Sequence, residues 1–133
     1  MPILVDTNVL LDIVTDDPQW ADWSLNNLNA AVHGDTVVIN AVIYAELSVA
    51  FARVEAMDAV LQRIPARLLD IPRAALFLAG RAYVKYRERG GGKTGVLPDF
   101  FIGAHAAVSG YALLTRDRGR YQSYFPTVEL IAP

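Results

Sequence analysis

The chain has no cysteine, only two histidines and two methionines, and no long uninterrupted apolar run. Without thiols there is neither a disulfide framework nor a thiolate metal site, and His33 and His105 alone supply a zinc centre poorly. No stretch approaches the ~20 apolar residues that span a bilayer. Met1-Pro2 runs straight into an apolar segment with no basic region and signal core ahead of it. The expectation is a soluble, cytoplasmic protein without membrane association. Basic residues are also missing from one half. Residues 1–60 hold nine acids and one base, Arg53, whereas residues 61–133 hold five acids and eleven bases, so a net charge of −2 conceals halves of −8 and +6. An acidic half that supplies a cation site and a basic half that meets an anionic polymer is one reading, and a solvated helix face is the other. At 133 residues and 53% hydrophobic, the sequence fits a single domain over 1–133 with one core.

What is present is organised around Ile3-Leu4-Val5-Asp6-Thr7-Asn8. The apolar residues before Asp6 are too few for a helix and rich in branched side chains, which predicts a buried strand of a parallel sheet with Asp6 at its carboxyl end. That edge is where ligands bind in open α/β sheets. The alternative is that Asp6, Thr7 or Asn8 merely caps the next helix.

Further along, an apolar helix start from Val9 to Val14 is interrupted at Asp16-Asp17-Pro18, and Trp20, Trp23, Leu28 and Val32 resume helical spacing up to His33-Gly34. The two tryptophans read as core or partner-packing residues. Thr36–Ile39 is a second strand, Asn40 a cap, and residues 41–53 a helix carrying Glu46 in an apolar setting, where a carboxylate is costly unless paired or bound to a metal. The alternative leaves Glu46 exposed beside Arg53. A short helix over 56–64, a strand over 68–71 and a long helix over 73–89 follow, ended by three glycines. Gly92-Lys93-Thr94 resembles the end of a phosphate-binding loop, but Arg87 stands where that motif needs glycine, and the loop follows a helix. Pro98 opens a helix that carries Asp99 in its first turn and His105, read as a buried hydrogen-bonding residue. A strand over 111–114 leads into Thr115-Arg116-Asp117, a short turn or helix follows, and residues 127–131 make a fifth strand. This alternation predicts an α/β fold, a central parallel sheet of four to five strands with helices on both faces.

Asp6, Glu46, Asp99 and Asp117 come from four elements that a right-handed α/β winding can bring to one edge. Carboxylates packed together repel one another and protonate unless a cation neutralises them. All-oxygen ligands select Mg²⁺ or Mn²⁺, whose retained waters suit phosphoryl chemistry. Thr7, Asn8 and Thr115 would orient the carboxylates. Arg116 and the neighbouring bases Arg118, Lys93 and Arg87 would hold an RNA backbone.

Leu4-Val5-Asp6-Thr7-Asn8, Ala45-Glu46-Leu47, Asp99-Phe100-Phe101-Ile102-Gly103-Ala104-His105-Ala106 and Leu114-Thr115-Arg116-Asp117, in that order, resemble the PIN-domain family, specifically the VapC-like toxins of toxin-antitoxin pairs. The resemblance implies a PIN-like fold, a Mg²⁺- or Mn²⁺-dependent endoribonuclease, a homodimer, and inhibition by a cognate antitoxin whose tail enters the acidic groove. It implies that Asp6, Glu46, Asp99 and Asp117 are the metal-site acids, with Thr115 supporting them. One departure bears on metal number: many relatives carry another acid shortly after the residue matching Asp117, and here Gly119 and Arg120 follow. A related phosphatase fold would need Asp-x-Asp at the first strand, which Asn8 breaks. The rival reading from another class is a non-catalytic PIN-like module that binds RNA or protein, which has no need of the acids.

Overall fold

The N-terminal branched run forms strand β1 (Ile3–Val5), and all three of its side chains are buried. Successive strand residues point to opposite faces, so burial of all three means that the sheet is covered on both. The computed structural model describes residues 1–92 and 96–133. It places β1 in the middle of a five-stranded sheet with β2 (Val37–Asn40), β3 (Arg67–Leu69), β4 (Ala112–Leu114) and β5 (Leu130–Ile131). The strand order is β3-β2-β1-β4-β5, and every pairing is parallel. Helices α1 (Thr7–Val14), α2 (Ala21–Gly34), α3 (Ala41–Leu47), α4 (Val54–Arg63), α5 (Arg73–Glu88), α6 (Leu97–Ser109) and α7 (Arg118–Tyr124) connect and cover it. The α/β expectation is met.

The order determines where a site can form. From β1 the chain steps outward through β2 to β3, then crosses back to lay β4 on the other side of β1. Chain connections therefore diverge between the carboxyl ends of β1 and β4 and leave a crevice there. The Asp6 N–H donates to the Leu114 carbonyl at 2.9 Å, locking the two strand ends together. α1 packs on α2 and α3, and α5 lies along α6. Phe100, fully buried in α6, is the hub of an aromatic cluster that ties α5 and α7 to α6: Tyr124 meets its ring edge-on at 5.2 Å, with Tyr83 and Phe125 each at 6.1 Å between centroids. Gly103, one turn later, is what lets Phe125 in. A Cβ there would stand 2.4 Å from the Phe125 ring.

Element boundaries depart most from the sequence reading in three places. The helix expected over 41–53 stops at Leu47 and tightens into a 3₁₀ turn over Ser48–Ala50, and Phe51 is extended. The Ser48 hydroxyl donates back to the Ala45 carbonyl at 2.6 Å, a local bond that competes with helix continuation. The last strand is confined to Leu130–Ile131, because Pro126 follows Phe125 and the Val128 N–H turns back to the Phe125 carbonyl at 3.1 Å. The third strand is Arg67–Leu69, earlier than expected, because it pairs in register with Val38–Asn40. His105 is buried, and its Nδ1 accepts from Asn40 Nδ2 at 3.1 Å while Asn40 Oδ1 caps α3 through the Ile43 N–H.

Candidate active site

Asp6 leaves β1 and enters α1 directly, so its carboxylate hangs over the crevice. Oδ1 accepts the Thr7 N–H at 2.7 Å, which is the capping role. Oδ2 accepts the Thr115 hydroxyl at 2.8 Å, the Tyr121 hydroxyl at 3.0 Å and the Asn8 amide at 3.4 Å. Capping and cleft-facing roles therefore coexist in one side chain. Burial dominates its acidity: despite the hydroxyl donors, Asp6 is pushed up from 3.8 to about 6, with Asp99 adding repulsion. Asp6 is 4% exposed, and a carboxylate kept this far from water is stabilised by a cation.

Glu46 projects from the last turn of α3, and its Oε1 accepts the Thr7 hydroxyl at 2.7 Å. It is half-buried and does not pair with Arg53, which instead reaches Glu55 at 3.5 Å. Asp99 occupies the first turn of α6. Burial raises its pKa; Arg120 opposes that shift, and Glu46 and Asp117 add to it. Asp6, Glu46 and Asp99 line one open cleft of about 620 Å³, flanked on the apolar side by Leu11, Val49 and Ala50. Asp117, more exposed, joins the group from the N-terminus of α7, where Arg120 Nη1 lies between Asp99 Oδ2, with which it is paired, and Asp117 Oδ2 at 3.9 Å. All four acids thus sit around the carboxyl ends of β1 and β4. Among the described residues no three acidic or imidazole side chains close into a finished cation cage.

Residues 3–125 match the family model of the PIN domain. The chain belongs to the PIN domain family. No curated protein gives a significant match. Among solved structures, this PIN domain is similar to a chain of the VapBC2 complex of Rickettsia felis bound to a promoter DNA fragment, with 21% identity and a TM-score of 0.76 over 100% of this chain and 99% of that one. It is also similar to chains of DNA-bound VapBC from Salmonella typhimurium (17%, TM-score 0.71, covering 99% and 98%) and of VapBC-1 from nontypeable Haemophilus influenzae (16%, TM-score 0.71, covering 99% and 98%). At these identities the likeness is one of fold.

The supporting residues named from sequence all face Asp6 or its neighbours. Thr115, fully buried after β4, donates to Asp6 and accepts the Asp117 N–H at 3.0 Å, so one hydroxyl links two of the acids. Asn8 bridges the same strands, its amide reaching Asp6 and Thr115 and its carbonyl taking the Arg116 N–H at 3.2 Å.

The basic residues fare differently. Arg116, expected to lie open to a polyanion, is committed to buried Asp12 through Nε at 2.6 Å and Nη2 at 2.9 Å, and it stacks over Trp20 at 5.1 Å. Arg118 is exposed but donates to the carbonyls of Ala132 and Pro133. Arg87 is exposed on the last turn of α5, and Lys93 lies outside the described residues, as does Thr94. Trp20 and Trp23 are half-buried and edge-on to each other, so the larger exposed apolar side chains lie elsewhere, at Val49 and Phe77.

Three contributors escaped the sequence reading. Asp12 is 2% exposed and holds both Arg116 and the Ser24 hydroxyl at 2.6 Å; its signal was an acid in the middle of an otherwise apolar helix start. Tyr121 carries no local sign of a polar role, yet its buried hydroxyl donates to Asp6. Nothing local marks Arg120 as the partner of Asp99.

Proposed function

We propose that this PIN domain is a Mg²⁺- or Mn²⁺-dependent endoribonuclease, the toxin of a toxin-antitoxin pair, acting in the cytoplasm as a homodimer and silenced by a cognate antitoxin protein. The observation that carries the nuclease reading is Asp6, a buried carboxylate with Glu46 and Asp99 beside it in one open cleft. The donor set fits a hard cation. All candidate ligands are carboxylate oxygens, Asp6 Oδ1 has one N–H donor and therefore a spare lone pair, and Mg²⁺ keeps several waters, so a complete protein cage is not required. Asp6, Glu46 and Asp99 would hold the ion, with Asp117 at the rim. Bound there, it supplies Lewis-acid activation of water and charge neutralisation at the phosphate.

The chain's own residues prepare that chemistry. Thr115 and Tyr121 fix the Asp6 carboxylate with two hydroxyl donors, and Thr7 fixes Glu46, so both acids are oriented before substrate arrives. Leu11, Val49 and Ala50 give the cleft one apolar wall, beside which Glu46 stands half-buried. Exposed Arg87, and Arg118 through the guanidinium N–H groups not given to the Ala132 and Pro133 carbonyls, would meet the RNA backbone, where phosphate contacts position without specifying sequence. The antitoxin is suggested by the VapBC complexes that share the fold.

The test is cleavage of bulk cellular RNA by purified protein with Mg²⁺, with Mn²⁺ and with chelator, beside Asp99→Ala. Metal-dependent cutting that the variant loses is the expected result. A folded wild-type protein that binds RNA and cuts none under any condition would overturn it in favour of a binding module.

A further inference from the structure

The base placed among the acids divides the cleft into unlike halves. Among the described residues, Asp6 and Glu46 receive only neutral donors: hydroxyls, an amide and a backbone N–H. Asp99 and Asp117 share a guanidinium nitrogen of Arg120. The Arg120–Asp99 pair is shielded, with side-chain exposures of 21% and 28%, so its attraction is screened less than at an open surface. Arg120 is also anchored. Its neighbour Tyr121 is 1% exposed and bonded to Asp6, which fixes the rotation of α7 and aims residue 120 at Asp99. A guanidinium keeps its charge at every working pH and matches carboxylate geometry with rigid N–H donors.

We propose that Arg120 is a built-in cation between Asp99 and Asp117, standing in for a second divalent ion, so that each chain takes one divalent ion, held by Asp6 and Glu46 with the Asp99 oxygen that Arg120 leaves free. This rests on the metal-site reading above. A second divalent ion between Asp99 and Asp117 would meet a fixed positive charge paired with Asp99 Oδ2 and 3.9 Å from Asp117 Oδ2. Arg120 neutralises and positions these acids; the single ion alone supplies Lewis-acid chemistry.

Mn²⁺ alone serves as the probe, titrated by calorimetry and by loss of the free-ion paramagnetic resonance signal into metal-free wild type, Arg120→Lys, Arg120→Gln and Arg120→Glu, each checked for folding by circular dichroism. One Mn²⁺ per chain is expected for wild type and Arg120→Lys, and two for Arg120→Glu, with a second weaker ion appearing in Arg120→Gln. A merely structural ion pair would alter melting temperature without altering stoichiometry. One ion per chain in all four proteins, or two in wild type, overturns the role of Arg120 and leaves the metal site standing. No ion in any of them overturns the metal-site reading itself, and this inference with it.

Discussion

Replacing Asp6 by Asn should stabilise the metal-free protein while abolishing its metal response. Burial raises the Asp6 pKa from 3.8 to about 6. Below pH 3.8 the carboxyl is protonated in both folded and unfolded chains and the shift has no effect on stability. Between 3.8 and about 6 the unfolded chain gives up its proton first, so stability falls as pH rises; above about 6 the full penalty applies. At 1.36 kcal/mol per pK unit that penalty is about 3 kcal/mol. Asn has no charge to desolvate. It keeps an acceptor for the Thr7 N–H, and the Thr115 and Tyr121 hydroxyls can rotate to accept from its amide, so about 1 to 3 kcal/mol should be recovered. For 133 residues this is a rise of roughly 4 to 10 °C in Tm at pH 7.5 in chelator. The assay is thermal unfolding of wild type and variant from pH 4 to 8, with and without Mg²⁺. The Tm difference should grow from near zero at pH 4 to a plateau above about pH 6.5. Mg²⁺ should raise only the wild type. A variant less stable than wild type at pH 7.5 in chelator, or a difference that does not vary with pH, would refute the reasoning.

Three further outcomes are expected. Asp12→Ala strands the Arg116 guanidinium and the Ser24 hydroxyl and should lower stability by about 3 kcal/mol, read as a lower urea midpoint with unchanged m. Thr7→Val removes the hydroxyl that donates to Glu46 and should weaken Mn²⁺ binding about tenfold by calorimetry. Gly103→Ala drives a methyl into the Phe125 ring and should destabilise by about 1 to 3 kcal/mol; an unchanged melting temperature would show that α7 shifts freely.

The strand-then-acid pattern was legible because it is local: a branched apolar run predicts β1, and the residue after it must emerge at the sheet edge. Glu46 was legible as an acid among apolar neighbours, and Thr115-Arg116-Asp117 as an echo of the first motif. The convergence of these pieces followed from right-handed winding alone. What stayed hidden depends on pairings between distant residues. Arg116 reads as a free base until Asp12, 104 positions earlier, proves to be buried beneath it. Arg120 and Tyr121 could not be assigned because their targets depend on how α7 is rotated, which its neighbours Tyr124 and Phe125 settle by packing on Phe100. The end of α3 was missed for a smaller reason, a serine hydroxyl satisfying a carbonyl within its own turn.

The central position of β1 also sets a schedule. The first strand of the domain has β2 on one side and β4 on the other, and β4 begins only at Ala112. Asp6 meets Thr115 and Tyr121 across 109 and 115 positions of chain, so neither hydroxyl can reach it until residues up to Tyr121 have left the ribosome. Chains that stop early therefore carry Asp6 and Glu46 without the strand and helix that complete their cleft. Premature termination before β4 yields fragments that lack the site, and the domain acquires it only when β4 and α7 join β1.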